Sequence, residues 1–365
     1  MSNIFDYLDW RGDITLGNAA LSPVDALILS ILPYIRLEGI VPSSPGAEPI
    51  RLADAAERYF SHPVSGDRSE ENHHRLLRQL ASSPRFANLR LVAARKVIDR
   101  KEGMQFAALS ILLPGQNLFV SFEGTDDTLV GWKEDFRMSY ECPVPAQLEA
   151  ADYLREVALH HPLRRLFVGG HSKGGNLAMF AAVFCGEEFR HRIRAVYNND
   201  GPGFCDDTMS SPEYKELRPR IHTFLPESSI VGVLLEHDER YRIVKSDARG
   251  IMQHDAYSWQ VRGADFVYTT ERTAFGKETE EIIDRFVAGM SPEKRRLLGE
   301  ALFTVLESTN QDTVSGIGTN LLQSARQILR SYTGLDPELR TVLNESIAAL
   351  NRTRRAVRRG TKESS

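Results

Sequence analysis

Hydrophobic and polar positions follow helical spacing at both ends of the chain and strand spacing in its middle. Up to residue 87 apolar residues recur at helical spacing, and the clearest helix start is Ser22-Pro23, with serine as cap and proline in the first turn. From residue 88 short apolar runs bounded by glycine or proline predict strands. After residue 275 the helical spacing returns.

The middle part of the chain predicts a mostly parallel sheet. Two runs, 89–99 and 104–113, flank a turn that ends in Gly103 and predict a hairpin. The remaining predicted strands are residues 117–122, 166–168, 194–198, 220–225 and 241–245. Helical patterns at 145–160 and 176–184 lie between strands, and such alternation favours parallel pairing with right-handed crossovers. We therefore predict an α/β fold with helices on both faces of the sheet.

Four regions follow from these patterns. Residues 1–87 are predicted to be a helical region packed on the core, and residues 88–275 the α/β core. Residues 276–350 are predicted to be a helical C-terminal region. Residues 351–365 contain five arginines and are predicted to be a basic, flexible tail. A chain of 365 residues is long enough for one large α/β domain with such additions.

The core is organised around Gly170-His-Ser-Lys-Gly174, which has the form G-x-S-x-G. Strand, glycine turn and helix are the context of a nucleophile elbow, in which the serine is held in a strained conformation above the sheet edge. The amide that follows the serine lies at the helix start, where it can donate to an oxyanion. We predict Ser172 as nucleophile and the Lys173 amide as oxyanion donor. The alternative is a glycine turn with a capping serine.

A serine hydroxyl needs a base to attack a carbonyl, and the base needs an orienting carboxylate. After an elbow of this type the acid and then the histidine follow along the chain. His222 falls inside a predicted strand and is interpreted as packed, and His237 falls in a charged segment interpreted as solvated. His254 lies in a loop after the last of these strands, so we predict His254 as the base.

Two motifs resemble those of α/β hydrolases of the class 3 lipase type. Gly170-His-Ser-Lys-Gly-Gly175 is similar to the lipase G-H-S-L-G-G, with Lys173 in place of leucine. Phe122-Glu-Gly-Thr125 is similar to the lipase "RGT" segment, with Glu123 in place of arginine. The resemblance implies an α/β-hydrolase fold and a second oxyanion donor, the Thr125 amide. The whole chain also resembles a bacterial family of lipase-like proteins.

The resemblance leaves two candidates for the acid. Class 3 lipases carry an aspartate after the next-to-last strand, where this chain has Pro226-Glu-Ser-Ser and no aspartate. The preceding strand ends in Asp200-Gly-Pro-Gly-Phe204, which resembles the acid site of pancreatic-type lipases. A carboxylate at the carboxyl end of a strand faces the crevice where α/β folds bind ligands. We predict Asp200 as the acid, with Glu227 as the alternative; an Asx turn at Asp200 is the competing interpretation.

The residues that flank Ser172 are given other roles. His171 is expected to pack beneath the elbow and not to act as a base. The Lys173 side chain is expected either to be exposed or to favour substrates with an anionic head group.

Composition narrows the function. The net charge of −4 gives no general argument for nucleic-acid binding, and three widely spaced cysteines indicate neither a disulfide framework nor a zinc site. No metal and no cofactor are predicted. The sequence has no histidine, cysteine or carboxylate group at metal-ligand spacing, no Walker loop and no dinucleotide-binding motif. The acidic start is unlike a signal peptide, and no apolar run is long enough to span a membrane. A cytoplasmic location is predicted.

These observations predict a serine hydrolase that acts on a carboxylic ester, either a small molecule or a lipid. The alternatives are a hydrolase-fold protein that has lost activity and serves as a binding scaffold, and a thioesterase or peptidase with the same triad. The basic tail predicts either a frayed, solvated end or weak peripheral attachment to an anionic membrane. The sequence does not decide the oligomeric state.

Overall fold

A computed structural model describes residues 2–62, 70–309, 311–313 and 321–363. The chain divides into two compact units. The first unit contains residues 1–97, 106–124 and 146–273, and the second contains residues 98–105, 125–145 and 274–365.

The helices occupy both ends of the chain and alternate with strands in the middle. They are α1 (Ile4–Arg11), α2 (Pro23–Ile31), α3 (Leu52–Phe60), α4 (Glu71–Ser82), α5 (Leu129–Arg137), α6 (Pro145–His160), α7 (Lys173–Phe184), α8 (Glu187–Arg190), α9 (Asp206–Ser210), α10 (Pro212–Leu217), α11 (Ala274–Ala288), α12 (Pro292–Glu307), α13 (Leu321–Gly334) and α14 (Pro337–Glu363). Residues 310 and 314–320 of the helical region predicted at 276–350 lie outside the described part, and α13 begins directly after them.

The strands agree closely with the predicted runs. They are β1 (Ile50–Arg51), β2 (Arg90–Asp99), β3 (Met104–Leu113), β4 (Asn117–Phe122), β5 (Arg165–His171), β6 (Ile193–Asn199), β7 (Ile221–Pro226), β8 (Tyr241–Val244), β9 (Val261–Arg262), β10 (Asp265–Phe266) and β11 (Tyr268–Thr269). The hydrophobic pattern does not reveal β1 or β9 to β11, because two residues are too few to show a period.

Nine strands form one mixed sheet in the order β1-β2-β3-β4-β5-β6-β7-β8-β11. Strands β4 to β8 are parallel to one another, whereas β3 runs antiparallel to β4 and β11 antiparallel to β8. The predicted α/β class with a mostly parallel sheet flanked by helices is confirmed. The carboxyl ends of β5, β6 and β7 meet at one edge, which positions the candidate site.

Helices cover both faces of the sheet, and consecutive glycines of β5 show how closely. Gly169 and Gly170 point to opposite faces because side chains alternate along a strand. A Cβ on Gly169 would lie 2.9 Å from Ser30 Oγ of α2, and one on Gly170 would lie 2.1 Å from the Gly174 backbone of α7. Helices α2 and α7 therefore pack on opposite faces.

The N-terminal helices belong to the first unit and are fixed by a buried ion pair. Ser22 and Asp25 cap α2 reciprocally. The Asp25 carboxylate also accepts hydrogen bonds from Arg85 Nε and Tyr7 Oη, each at 2.7 Å. These contacts join α1, α2 and the segment that leads to β2, and the apolar α2 fills the space between them and the sheet.

The second unit is built from helices. Within it α12 contacts α5, α13 and α14. Gly299 allows close packing against Phe136, and Ala301, Val305 and Leu335 form a small apolar core. None of the described helices is long and apolar enough to cross a membrane.

The C-terminal end differs from the flexible tail predicted at 351–365. Helix α14 runs without interruption from Pro337 to Glu363, and residues 364–365 lie outside the described part. Val357 is buried within this stretch, so the helix has a packed face among its arginines. Half-buried Thr353 and buried Val357 are four residues apart and share one face of the helix, which composition alone does not reveal.

Candidate active site

Ser172 occupies the turn between β5 and α7 in a conformation that side chains rarely adopt. Its φ is 59° and its ψ is −136°. Such left-handed conformations persist only where the surroundings impose them, and they cluster at functional sites. Strand, strained serine and helix form the elbow geometry that the sequence predicts, with the helix starting at Lys173.

Two glycines make this turn sterically possible. A Cβ on Gly170 would lie 2.1 Å from the carbonyl carbon and oxygen of Gly174. A Cβ on Gly174 would lie 2.2 Å from the Phe122 carbonyl oxygen at the end of β4. Neither obstacle is a flexible side chain, so the main chain itself would have to move to admit any other residue at Gly170 or Gly174.

The backbone places Asp200 beside the elbow. The Ser172 amide donates to the Asn199 carbonyl oxygen at 3.0 Å, and Asp200 is the next residue after β6. The Asp200 amide donates to the Phe224 carbonyl oxygen of β7 at 2.8 Å, and Asp200 has a positive φ of 55°. The side chain of Asp200 is fully buried.

Asp200 and His254 form the closest acid–imidazole pair of the site. Asp200 Oδ2 lies 2.6 Å from His254 Nδ1. A carboxylate can only accept a hydrogen bond, so Nδ1 carries the proton and donates it. The other ring nitrogen, Nε2, therefore retains its lone pair in the neutral ring. This is the tautomer that a general base requires.

The short helical turn that carries His254 is fixed by its neighbours. Gln253 Oε1 accepts from the Ser228 amide at 2.7 Å, and the Gln253 carbonyl oxygen accepts from Trp259 Nε1 at 2.9 Å. His171 Nε2 donates to the His254 carbonyl oxygen at 2.8 Å, and the two imidazole rings are 4.7 Å apart. These bonds hold the main chain on both sides of His254.

His171 supports the elbow as a neutral ring. Burial, reinforced by the charge of His254, lowers the pKa of His171 to about 3. The Tyr34 hydroxyl lies 3.1 Å from the His171 carbonyl oxygen, to which it donates, and it accepts from the Gly124 amide at 3.0 Å. The expected packing of His171 beneath the elbow agrees with its burial, and Tyr34 links the N-terminal region to the site.

The predicted oxyanion donors fall in different units. Lys173 is the first residue of α7 and so lies at the positive end of the helix dipole. Thr125 belongs to the second unit, and its hydroxyl donates to the Asp135 carboxylate there. Gly124, the preceding residue, belongs to the first unit and packs so tightly that a Cβ on it would lie 2.9 Å from Ser172 Cβ.

The Lys173 side chain is buried, so the expectation of an exposed lysine is wrong. Position explains this, because the first turn of α7 lies beneath the end of β4, where Gly174 touches Phe122 and Glu123. Glu123 is buried as well, and its carboxylate lies 3.7 Å from Lys96 Nζ. Two charged residues thus stand inside the first unit where the lipase motifs have arginine and leucine.

Three other candidates make no direct hydrogen bond to Asp200 or His254 within the described part of the chain. The Glu227 side chain makes no hydrogen bond or ion pair with any described residue, although its backbone bonds to β8 and Thr273. His222 stacks on Tyr197 in the sheet at 5.5 Å, as expected for a packed histidine. His237 is not the solvated residue predicted, because its ring is buried between Glu239 Oε1 and the Gly232 carbonyl oxygen, both at 2.7 Å.

Sequence reasoning did not identify Ser229, Gln253 or Tyr34. Ser229 Oγ donates to Asp200 Oδ1, Gln253 holds the turn of the base, and Tyr34 holds the elbow from residues far upstream. Ser228-Ser229 directly follows the strand end at which class 3 lipases carry their acid. That position is the one available signal, since a hydroxyl there can reach the same crevice.

Fold and site together define a mixed α/β protein with a strained serine and an aspartate–histidine pair at the carboxyl edge of a mostly parallel sheet. A family model described as Mbeg1-like matches residues 80–304, and the chain belongs to this family. The matched segment contains the elbow, Asp200 and His254. No curated protein matches the chain.

Proposed function

We propose that the protein is a serine hydrolase of α/β-hydrolase fold that acts on carboxylic esters. The observation that carries the proposal is the joint placement of strained Ser172 and the hydrogen-bonded Asp200–His254 pair at adjacent strand ends. Membership of a lipase-like family supports the same class of reaction.

In this mechanism His254 Nε2 takes the proton from Ser172 Oγ as that oxygen attacks the ester carbonyl. Asp200 keeps the imidazole in the required tautomer and stabilises the imidazolium that forms. Collapse of the tetrahedral intermediate transfers the proton from Nε2 to the leaving alkoxide and leaves an acyl group on Ser172. Water activated by His254 then hydrolyses the acyl-enzyme.

The Ser172–His254 hydrogen bond is the step that the proposal adds. Within the described part of the chain the Ser172 hydroxyl makes no hydrogen bond. Catalytic hydrogen bonds are often long without substrate and tighten when it binds. The Lys173 amide is proposed to hold the oxyanion, since an amide at a helix start is preorganised for developing negative charge. The role of the Thr125 amide stays a prediction of the sequence resemblance.

The surface beside His254 favours an apolar acyl group. Ile251 and Met252, in the same short 3₁₀ turn as His254, are 59% and 65% exposed. In a 3₁₀ helix residues three apart lie on the same face, so Ile251 shares a face with the imidazole. An exposed apolar side chain next to a proposed base is suited to contact a hydrocarbon chain.

A phosphonate probe tests this function because it reacts with an activated serine whatever the natural substrate is. Wild type should form a covalent adduct on Ser172 and hydrolyse p-nitrophenyl butyrate, and Ser172→Ala should do neither while keeping its circular dichroism spectrum. Absence of labelling and of hydrolysis in folded wild type would instead favour the inactive scaffold. Labelling that persists in Ser172→Ala would move the nucleophile elsewhere.

A further inference from the structure

The carboxylate oxygen of Asp200 that does not face His254 also accepts a hydrogen bond. Asp200 Oδ1 accepts a hydrogen bond from the hydroxyl of Ser229, and both side chains are buried. Ser229 Oγ in turn lies 3.0 Å from the Gly232 amide nitrogen. The acid is therefore held from both sides, by His254 on one oxygen and by Ser229 on the other.

The direction of each bond follows from the groups involved. The Gly232 amide can only donate, so Ser229 Oγ accepts from it. The Ser229 hydroxyl proton is then directed to Asp200, because a carboxylate can only accept. A hydrogen bond to an ionised group is stronger than one between neutral groups. Ser229 is thus oriented by the main chain to stabilise the Asp200 carboxylate in one rotamer.

The turn that carries Ser229 has little freedom to move. The Ser229 amide donates to the Pro226 carbonyl oxygen at 2.9 Å, and the Ser229 carbonyl oxygen accepts from Arg272 Nη2 at 2.5 Å. A Cβ on Gly232 would lie 2.4 Å from Asp200 Oδ1, so the chain passes directly against the acid.

His237 fixes the far end of this turn. Its Nε2 faces the Gly232 carbonyl oxygen and its Nδ1 faces Glu239, each at 2.7 Å. Glu239 also accepts from the hydroxyls of Thr223 and Tyr214, each at 2.7 Å. One series of hydrogen bonds therefore runs from buried Glu239 through His237, Gly232 and Ser229 to Asp200.

We propose that Ser229 is a positioning residue, which acts on the reaction by holding Asp200 Oδ2 toward His254 Nδ1, and that His237 holds Ser229 in place through Gly232. The proposal rests on the proposed hydrolase function for its kinetic test. The Asp200–His254 pair itself is a feature of the structure, so a spectroscopic test does not depend on turnover.

The kinetic test compares two neighbouring buried serines. Ser229→Ala should lower kcat for p-nitrophenyl butyrate about 10- to 100-fold and leave KM within about twofold, the range for losing one hydrogen bond to a charged group. Ser228→Ala is the matched control, because that hydroxyl is also buried but bonds to Thr273 Oγ1 at 2.6 Å and not to the acid. It should keep kcat near the wild-type value.

The second readout is the proton NMR signal of the His254 Nδ1 hydrogen in its bond to Asp200, assigned by its absence from His254→Ala. The signal should move or broaden in Ser229→Ala and stay in place in Ser228→Ala. An unchanged signal and unchanged kcat in a folded Ser229→Ala, or equal losses in both variants, would overturn the role of Ser229. If wild type is inactive but its NMR signal changes in Ser229→Ala and not in Ser228→Ala, the hydrolase function is contradicted. The positioning role of Ser229 is then still supported.

Discussion

The two halves of the candidate site are built in different ways. The elbow consists of 20 consecutive residues, 165–184, and its geometry is imposed by main-chain contacts at Gly170 and Gly174. The acid–base half joins Asp200, Ser229 and His254 from three separate segments, and side-chain hydrogen bonds hold them together. The elbow is therefore sensitive to larger side chains, and the acid–base half is sensitive to the loss of hydrogen-bond donors and acceptors.

The largest effect is expected in the acid–base half. His254→Ala should lower kcat for p-nitrophenyl butyrate about 10⁴- to 10⁶-fold, because the proton of Ser172 loses its acceptor. The double variant with Ser172→Ala should be no slower than the slower single variant, since the residues act as one unit. His222→Ala is the control, because its ring stacks on Tyr197 and makes no hydrogen bond with either residue of the pair in the described part of the chain. Near-normal turnover by His254→Ala would show that the base is another residue.

The next largest effect is expected when a side chain is added at a glycine of the elbow. Gly170→Ala should lower the free energy of unfolding by about 3 kcal/mol or more and reduce ester hydrolysis, because its Cβ meets the Gly174 backbone at 2.1 Å. Gly17→Ala is the control, since among the described residues its Cβ would have one neighbour within 4 Å, at 3.8 Å. Urea unfolding measures the free energy of unfolding of both variants. Equal stabilities for the two variants would contradict a sterically imposed elbow.

A third prediction concerns the pH dependence of the acid–base half. Burial raises the pKa of Glu239, but the hydrogen bonds from His237, Thr223 and Tyr214 and the charge of His237 lower it to about 2. A depressed pKa in the folded state stabilises the protein above the unfolded pKa of 4.5, and this stabilisation is lost as the pH falls toward 2.

The change in pKa corresponds to roughly 3 kcal/mol. In urea titrations between pH 5 and pH 2, wild type should therefore lose about 3 kcal/mol more free energy of unfolding than Glu239→Gln, which has no titrating carboxyl there. Glu57→Gln is the control, because that exposed carboxylate makes no hydrogen bond or ion pair with any described residue. Parallel curves for wild type and Glu239→Gln would refute the stabilising role of the Glu239 carboxylate.

The smallest effect lies in the second unit and should leave both halves of the site intact. We propose that the exposed arginines of α14 attach the protein weakly to anionic membranes. Replacing Arg354, Arg355 and Arg359 with glutamine should weaken sedimentation with anionic vesicles by about 1 kcal/mol per residue and leave hydrolysis of a water-soluble ester unchanged.

Arg358 is kept in this variant because it pairs with Glu278, and the chain is not shortened because Val357 is buried. Binding should fade with added salt, since exposed charges are screened within about 10 Å at 0.1 M. If wild type and variant bind equally, or if wild type binds neutral and anionic vesicles equally, α14 has no membrane role.

The difference between the halves also explains what the sequence could predict. The elbow was predictable because its strand, turn and helix are contiguous and its glycines mark the close contacts. The choice between Asp200 and Glu227 was not, because both follow strands and only the three-dimensional contacts show which carboxylate meets His254. His237 was misjudged because Glu236-His-Asp-Glu-Arg240 is polar throughout, and burial of a charged pair depends on partners from other segments.

The hydrogen bonds of Tyr34 limit how far the chain can be truncated from its N-terminal side. The family match begins at residue 80, yet Tyr34 bonds to both Gly124 and His171, and the apolar α2 covers one face of β5. A protein trimmed to the matched segment would leave that face of the sheet bare to water, and it would aggregate or misfold before its chemistry could be assayed. The limits of a sequence family are thus narrower here than the limits of the unit that folds.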